Sequence, residues 1–191
     1  MIPMRMSAYE ICGLIVAVLW LFLIGYWIAS ARGVKRDVER RGKWWLRATV
    51  FATVAIAVTV LVPVWRRPLV PPSATIGVVA TVFTAAGVTV AVWARRCLGR
   101  NWSSQPALKE GHELVTSGPY RLVRHPIYTG VILAFLGTAL VNDLLWGAVF
   151  LCVIAVFVMR VRVDERLMLW QFPDQYPDYM KRTKALVPFV W

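Results

Sequence analysis

Arg124, His125 and Tyr128 stand together in the stretch Gly118-Pro119-Tyr120-Arg121-Leu122-Val123-Arg124-His125-Pro126-Ile127-Tyr128-Thr129-Gly130, and Arg160, Asp164 and Glu165 stand together later in the chain. Each set lies at the end of an apolar run. A guanidinium, an imidazole, a phenol and carboxylates at such an edge need a reason, because charge beside hydrocarbon is costly unless it is paired or used. Pro126 marks a helix start, since its missing N–H costs nothing in the first turn. Ile127, Tyr128 and Thr129 would then turn free backbone N–H groups outward, and with Arg124 alongside, that end favours an anion. Arg160 and Asp164 are spaced for one helix face, where a simple ion pair is the plain explanation, but Arg before the acid is the weaker order for one. If the apolar runs between the two sets form an antiparallel hairpin, both sets meet at one membrane face. That convergence reads as an active site.

The elements that must position these residues follow from hydropathy. The chain of 191 residues is 59% apolar and 17% charged, with mean hydropathy +0.59, which takes it outside the ~45–50% apolar and ~25% charged range of soluble domains. A span across a ~30 Å hydrocarbon layer takes ~20 apolar residues, and residues 11–30, 48–65 and 74–94 meet that length. Residues 127–141 and 144–159 are shorter and are separated by Asn142-Asp143, a pair suited to a tight turn. The expected fold is therefore an all-α integral membrane protein with five transmembrane helices, the last two a hairpin. Whether the hairpin tip reaches the far surface is left open by its length.

The net charge of +12 does not point to nucleic acid, because the cations are sorted by loop and not along one face. All but Arg5, Arg66 and Arg67 of the 22 Lys and Arg residues fall after the first span, between the third and fourth, or in the tail. The positive-inside rule then puts the N-terminus outside and the C-terminus and site in the cytoplasm, in the cell membrane; basic loops of this kind also suit anionic headgroups. Cys12, Cys97 and Cys152 are isolated, lack metal-ligand spacing and read as buried hydrophobes; no metal is expected. Ala29-Ser30-Ala31 resembles a signal-peptidase site, but the apolar run before it exceeds the usual ~7–15-residue core, so a retained span is expected.

No repeat or linker divides the chain, so residues 1–191 are expected to form one domain. Gly77, Thr81 and Ala85, continued by Gly87 and Ala91, form a small-residue surface for close helix packing. Trp44, Trp45, Trp65, Trp93 and Trp102 suit the membrane interfaces. Residues 34–43, charged and without an apolar stripe, are expected to lie along the cytoplasmic surface. The connection 95–124 is long for a compact domain, and such loops are usually functional or disordered; Trp102, Leu108, Leu114, Val115 and Tyr120 give it material to pack. A helix continuing out of the membrane from Val161 through Trp170 is expected. Beyond Pro173, the apolar and aromatic residues Tyr176, Tyr179, Leu186, Val187, Pro188, Phe189 and Trp191 should fold back, so that loop and tail enclose a pocket over the hairpin.

His112-Glu113-Leu114-Val115, Gly118-Pro119-Tyr120, Arg124-His125-Pro126-Ile127-Tyr128-Thr129-Gly130, Asp164-Glu165, and Tyr176 with Tyr179 before Leu186-Val187-Pro188 together resemble the isoprenylcysteine carboxyl methyltransferase family, with kinship to phospholipid methyltransferases. The resemblance covers roughly Leu98 to the end, with Asp164-Glu165 where the family has Glu-Glu. It implies S-adenosylmethionine as methyl donor, bound by residues 98–191. Its contacts would fall on Gln105, His112, Glu113, Leu114, Val115, Tyr120, His125, Pro126, Ile127, Tyr128 and Asp164. Arg160, with Glu165 beside it, would serve catalysis, Arg160 holding the acceptor carboxylate. No glycine-rich loop of the soluble methyltransferases occurs, so the hairpin and its flanks must build the cofactor site.

The implied reaction is methyl transfer to a carboxylate of an isoprenylcysteine-like or other lipidic acceptor drawn from the bilayer. The alternatives are a phospholipid N-methyltransferase, whose amine must first lose a proton; a nicotinamide-dependent sterol-reductase-like enzyme, whose pattern has Asn where Ile127 precedes Tyr128; and a non-enzymatic lipid-binding subunit, which leaves the polar convergence unexplained.

Overall fold

The computed structural model describes residues 6–30, 67–102 and 113–188, and the backbone of 37–40 and 107–109. The expected span at 48–65 lies outside the described residues. Helix α1 (Ala8–Ser30) is apolar on every side, with Leu21 68% and Ile28 64% exposed, the composition of a helix that faces lipid. It starts on a capping box. Ser7 N–H donates to Glu10 Oε2 at 2.7 Å and Glu10 N–H donates to Ser7 Oγ at 3.3 Å, so two backbone donors are satisfied reciprocally. Helix α2 (Ala74–Leu98) begins where Ser73 Oγ accepts from Ile76 N–H. It stops at Gly99, whose φ of 52° lies in the left-handed region that glycine enters freely.

Helices α3 (Pro126–Leu140) and α4 (Leu144–Gln171) form the expected hairpin, with Asp143 capping α4 through Trp146 N–H. At 1.5 Å per residue α3 is only about 22 Å long and α4 about 42 Å. Accordingly α1, the helical stretch Ala74–Asn101 and α4 are long and apolar enough to cross a bilayer, whereas α3 is short. The tip nevertheless reaches the end of the bundle where α2 begins: Leu69 N–H donates to Asn142 O at 3.2 Å and Leu144 N–H to Arg67 O at 2.9 Å. The described helices make a multi-pass membrane bundle.

Helices α2 and α3 pack most closely. A Cβ on Gly130 would lie 2.6 Å from Gly87 O and 2.7 Å from Ala91 N, distances no side chain tolerates. The row in contact is Ala80, Thr84, Gly87 and Ala91, all buried. This differs in part from the expected small-residue row, since Gly77 points instead at Cys12 of α1. The reason is geometric: residues 77, 81 and 85 lie on a neighbouring row of the helix, displaced from the row that meets α3. Helix α1 is fixed to α3 by Trp20, whose Nε1 donates to Thr138 Oγ1 at 2.8 Å and whose ring lies 4.7 Å from Phe135.

Two additions lie outside the bundle. Strands β1 (Asp37–Arg40) and β2 (Ala107–Lys109) pair antiparallel, Asp37 opposite Lys109 and Arg40 opposite Ala107. This short ribbon ties the connection after α1 to the connection after α2, so both leave the same end of the bundle. The tail folds back through α5 (Tyr176–Arg182), and the segment behind it runs beside the start of α3. There Arg124 N–H donates to Lys184 O at 2.8 Å and His125 N–H to Ala185 O at 3.0 Å. Ala185 and Leu186 are buried with Val161 against Tyr128, Ile132 and Val158.

Candidate functional site

Pro126 holds the residue before it out of the helical region, and His125 sits at φ −125°, ψ 57°. The chain therefore turns into α3 with the backbone of 124 and 125 free to bond the tail. Thr129 N–H is taken by His125 O at 3.1 Å, so of the three expected open donors those of Ile127 and Tyr128 stand at the helix start.

Arg124 is the junction of three segments. Its Nε donates to Glu165 Oε1 at 2.7 Å, and its Nη1 donates to Thr183 O and, at 3.3 Å, to Met180 O. The Arg124 and Glu165 side chains are 9% and 16% exposed. His125 Nε2 lies 3.5 Å from the same Glu165 oxygen, and its ring is parallel to Tyr128 at 5.4 Å. Tyr128 stacks on Phe157 at 4.5 Å and donates its hydroxyl to Asp164 Oδ2. Arg160 Nε lies 3.5 Å from that Asp164 oxygen, with its guanidinium 5.5 Å from the Tyr128 ring centre. The two polar sets expected to converge thus do so, through Arg124–Glu165 and through Tyr128–Asp164–Arg160.

These groups border a cavity of about 340 Å³, within the ~300–1,000 Å³ of small-molecule sites. Of the residues expected at the cofactor, Glu113, Leu114, Val115, Tyr120, His125, Ile127, Tyr128 and Asp164 line it, and so does Arg160. Gln105 and His112 lie outside the described residues. Pro126 is fully buried and shapes the helix start without lining the cavity, and Glu165 stands behind the lining, engaged with Arg124 and His125.

Several lining residues had no such role in the sequence reading. Asn101 and Trp102 close the end of α2, Trp27 and Phe157 come from apolar runs in which nothing distinguishes them from lipid-facing neighbours, and Leu167 and Met168 come from the charged continuation of α4 beyond its apolar run. Trp102, which also gives the connection after α2 material to pack, is held against the Arg95 guanidinium at 4.5 Å and edge-on to Trp27 at 6.2 Å. Tyr176 and Tyr179 bring the tail to the cavity wall, with Tyr179 OH donating to Tyr120 O at 2.6 Å. Burial pushes the Tyr179 phenol up to about 12, and burial likewise raises Tyr120 and Tyr176. All three therefore remain neutral at physiological pH, and Tyr179 serves as a donor to the Tyr120 backbone.

Chemically, the cavity offers a carboxylate and a guanidinium side by side near an apolar wall, and a second cation, Arg124, held by its own carboxylate. Such a set suits a ligand that carries both charges.

Comparisons with known proteins point to a family of methyltransferases. A family model described as phospholipid methyltransferase matches residues 75–175. Protein-S-isoprenylcysteine O-methyltransferase B of Arabidopsis thaliana is 36% identical over 84 residues, 43% of this chain and 43% of that protein. The cobalt-zinc-cadmium resistance protein CzcN of Cupriavidus metallidurans is 35% identical over 94 residues, 48% of this chain and 43% of that protein. The chain thus spans under half the length of these relatives. The solved structure of a eukaryotic intramembrane Ras methyltransferase, isoprenylcysteine carboxyl methyltransferase, superposes with a TM-score of 0.54 at 24% identity, over 80% of this chain and 55% of that one, a likeness of fold. The family match starts earlier than the resemblance read from the motifs, taking in α2, the helix against which α3 is packed. The match takes in more than half of the residues, and the chain belongs to the phospholipid methyltransferase family, kin to the isoprenylcysteine carboxyl methyltransferases that the motifs from His112 to Pro188 resemble.

Proposed function

We propose that this chain is an S-adenosylmethionine-dependent methyltransferase that esterifies the carboxylate of an isoprenylcysteine-like or other lipidic acceptor at the membrane interface. The observation that carries the reading is the Tyr128–Asp164–Arg160 cluster on a cavity whose other lining includes Trp27, Val131 and Phe157 from the apolar helices. A charged reacting end and a hydrocarbon tail would both find matching walls.

The residues fit the donor. Asp164 and Arg124 on the cavity complement a zwitterion, and Leu114, Val115 and Trp102 suit a heterocycle. When bound, S-adenosylmethionine supplies a sulfonium methyl group: the acceptor oxygen forms the new C–O bond as the C–S bond breaks, and the electron pair returns to sulfur, leaving S-adenosylhomocysteine and a methyl ester. In this reading Asp164, held by Tyr128 OH, stands beside the cationic part of the donor, and Glu165 holds Arg124 and His125 in place. Arg160 holds the acceptor carboxylate, its own direction set by Asp164 and the Tyr128 ring. A carboxylate is already ionised near neutral pH, so these residues need to orient and not to deprotonate.

The test is to separate the two bindings. Arg160→Lys keeps the charge but loses the planar fork that matches a carboxylate. It should bind S-adenosylmethionine normally and turn over a prenylated cysteine acid poorly, with Arg160→Ala poorer still. Parallel loss of donor binding and activity would move Arg160 into the donor site, and unchanged activity in both variants would defeat the carboxylate reading. The family description favours one second reading, N-methylation of a phospholipid amine. That chemistry requires a group to accept the amine proton.

We also propose that the site faces the cytoplasm, on the strength of the loop charges. Cysteines placed at Ser73 and Ser104 test this: labelling of position 104 from outside, with position 73 protected, would invert it.

A further inference from the structure

The tail lies deeper in the bundle than its charge suggests. Arg95 and Arg96 end the apolar run of α2, and Arg95 donates Nη1 to Gly99 O at 2.7 Å and Nη2 to Ser30 O, at the end of α1. Both helices therefore reach the edge of the hydrocarbon at one level. Gly87 meets Gly130 where α2 and α3 pack, and Arg95 is eight residues beyond Gly87, about 12 Å further toward that edge. Thr129 is one residue from Gly130, and its Oγ1 donates to Leu186 O at 2.6 Å. The tail at Leu186 thus lies about 10 Å inside the level where α2 acquires its charges. Counting from the opposite end agrees. Thr129 is 13 residues from Asn142 at the tip, about 20 Å along α3, well short of the ~30 Å of a hydrocarbon layer.

The residues placed at each level suit it. Lys184, whose carbonyl accepts from Arg124 N–H, stands beside the segment before α3 and so nearer the edge. Arg182 and Lys184 are exposed, as is Arg121; Lys181 is exposed too, but is bonded to Asp178 at 2.8 Å. From Leu186 onward the sequence reads Leu-Val-Pro-Phe-Val-Trp, without a charge. Leu186 is buried with Ala185 and Val161 against Tyr128, Ile132 and Val158, and its neighbour Val187 is 49% exposed among the described residues. Irregular backbone at such depth is tolerated only where its polar groups are satisfied. The carbonyls of Lys184, Ala185 and Leu186 accept from Arg124 N–H, His125 N–H and Thr129 Oγ1, and Pro188 has no N–H to satisfy.

We propose that the tail is a re-entrant strap whose partner is the bilayer: Val187 meets acyl chains, and Arg182 and Lys184, with Arg121, seat anionic headgroups above it. An apolar edge below a row of cations engages both layers of an anionic leaflet. The same tail carries Tyr176 and Tyr179 of the cavity wall, so lipid contact steadies that wall. The proposal is independent of the donor and acceptor assigned under Proposed function.

The experiment places a nitroxide on a single cysteine of the full chain, with Cys12, Cys97 and Cys152 replaced by Ala, in vesicles of phosphatidylcholine and phosphatidylglycerol. Oxygen, which concentrates among acyl chains, and a water-soluble nickel chelate then compete to relax it. The label in Val187→Cys should be relaxed by oxygen, like one in Leu151→Cys, a 64% exposed position within the apolar run of α4. The label in Asp178→Cys, exposed on α5, should be relaxed by nickel. A Val187→Cys label that nickel reaches as readily as the one at 178 overturns the proposal, and so does a label that neither relaxer reaches, since protein then covers the position. A second arm keeps the native cysteines and stands if the cysteine replacements unfold the chain. Native mass spectrometry of protein released from the same vesicles gives the ratio of retained phosphatidylglycerol to phosphatidylcholine. In the double variant Arg182→Glu, Lys184→Glu that ratio should fall by at least about fivefold, the equivalent of one lost cation at an anionic surface. An unchanged ratio overturns the headgroup seat and the proposal with it.

Discussion

Replacing Arg124 by Ala should release the tail from the bundle. The Arg124–Glu165 contact is 2.7 Å long between side chains 9% and 16% exposed, so it is a buried pair and not a surface one. Removing one partner of such a pair costs about 3–5 kcal/mol, because the other is left buried and unmatched. His125, at 3.5 Å from the same oxygen, is too distant to replace the lost hydrogen bond, and the bonds to Met180 O and Thr183 O vanish with the guanidinium. A loss of that size raises the open fraction of the tail roughly 100- to 4,000-fold. The readout is amide hydrogen exchange at positions 124 and 125, whose N–H groups are covered by Lys184 O and Ala185 O. Both should exchange faster in Arg124→Ala by that factor, up to the limit set by global unfolding. Arg124→Lys should fall between, since an ammonium cannot span the carboxylate and the carbonyls together. Unchanged protection at both amides would refute the view that Arg124 holds the tail.

Asp164→Ala and Tyr128→Ala should each weaken S-adenosylmethionine binding by roughly 10- to 150-fold, the equivalent of one charged hydrogen bond, without unfolding the bundle; unchanged affinity in both would remove them from the site. Gly130→Ala should destabilise the bundle by about 1–3 kcal/mol, since its Cβ would meet Gly87 O at 2.6 Å, whereas Gly25→Ala, with nothing within 4 Å, should not; thermal unfolding in detergent compares them. Tyr179 ionises ordinarily near 10.0 and is raised to about 12 by burial, so the folded tail favours the neutral phenol. Its contribution is complete below about pH 10 and is lost as pH rises through about 12, and tail release over that window should be smaller in Tyr179→Phe.

What was legible in the sequence follows from what each residue type must do. Pro126 and the Asn142-Asp143 pair punctuate the apolar runs unmistakably, so the hairpin and the meeting of Arg124–Tyr128 with Arg160–Glu165 could be read before any coordinates. The length of α3 left open whether the hairpin reaches the far end, and the answer came from backbone bonds to residues 67–69, which carry no side-chain signature. The packing row was read one helix face away for Gly77, because small residues mark close approach without saying which neighbour approaches. The roles of Asn101 and Trp102 were hidden for a different reason. They depend on Arg95 folding the end of α2 onto α1, a contact that no local pattern announces. Glu165 illustrates the limit at the site itself: sequence set it beside Asp164, but only the fold shows it turned to Arg124 and His125 while Asp164 faces the cavity.

The central claim is transfer of a methyl group from S-adenosylmethionine to a lipidic carboxylate, and methyl esters differ from methylated amines in one simple property: alkali hydrolyses them to methanol. The direct measurement is incubation of the purified chain, reconstituted in lipid, with methyl-labelled S-adenosylmethionine and an S-prenylated cysteine acid, followed by mild base and capture of volatile label. Label released as methanol, dependent on the acid and lost in Arg160→Ala, is the expected result. Transferred label that stays alkali-stable, or no transfer to any carboxylate by protein that binds the donor, would contradict the account.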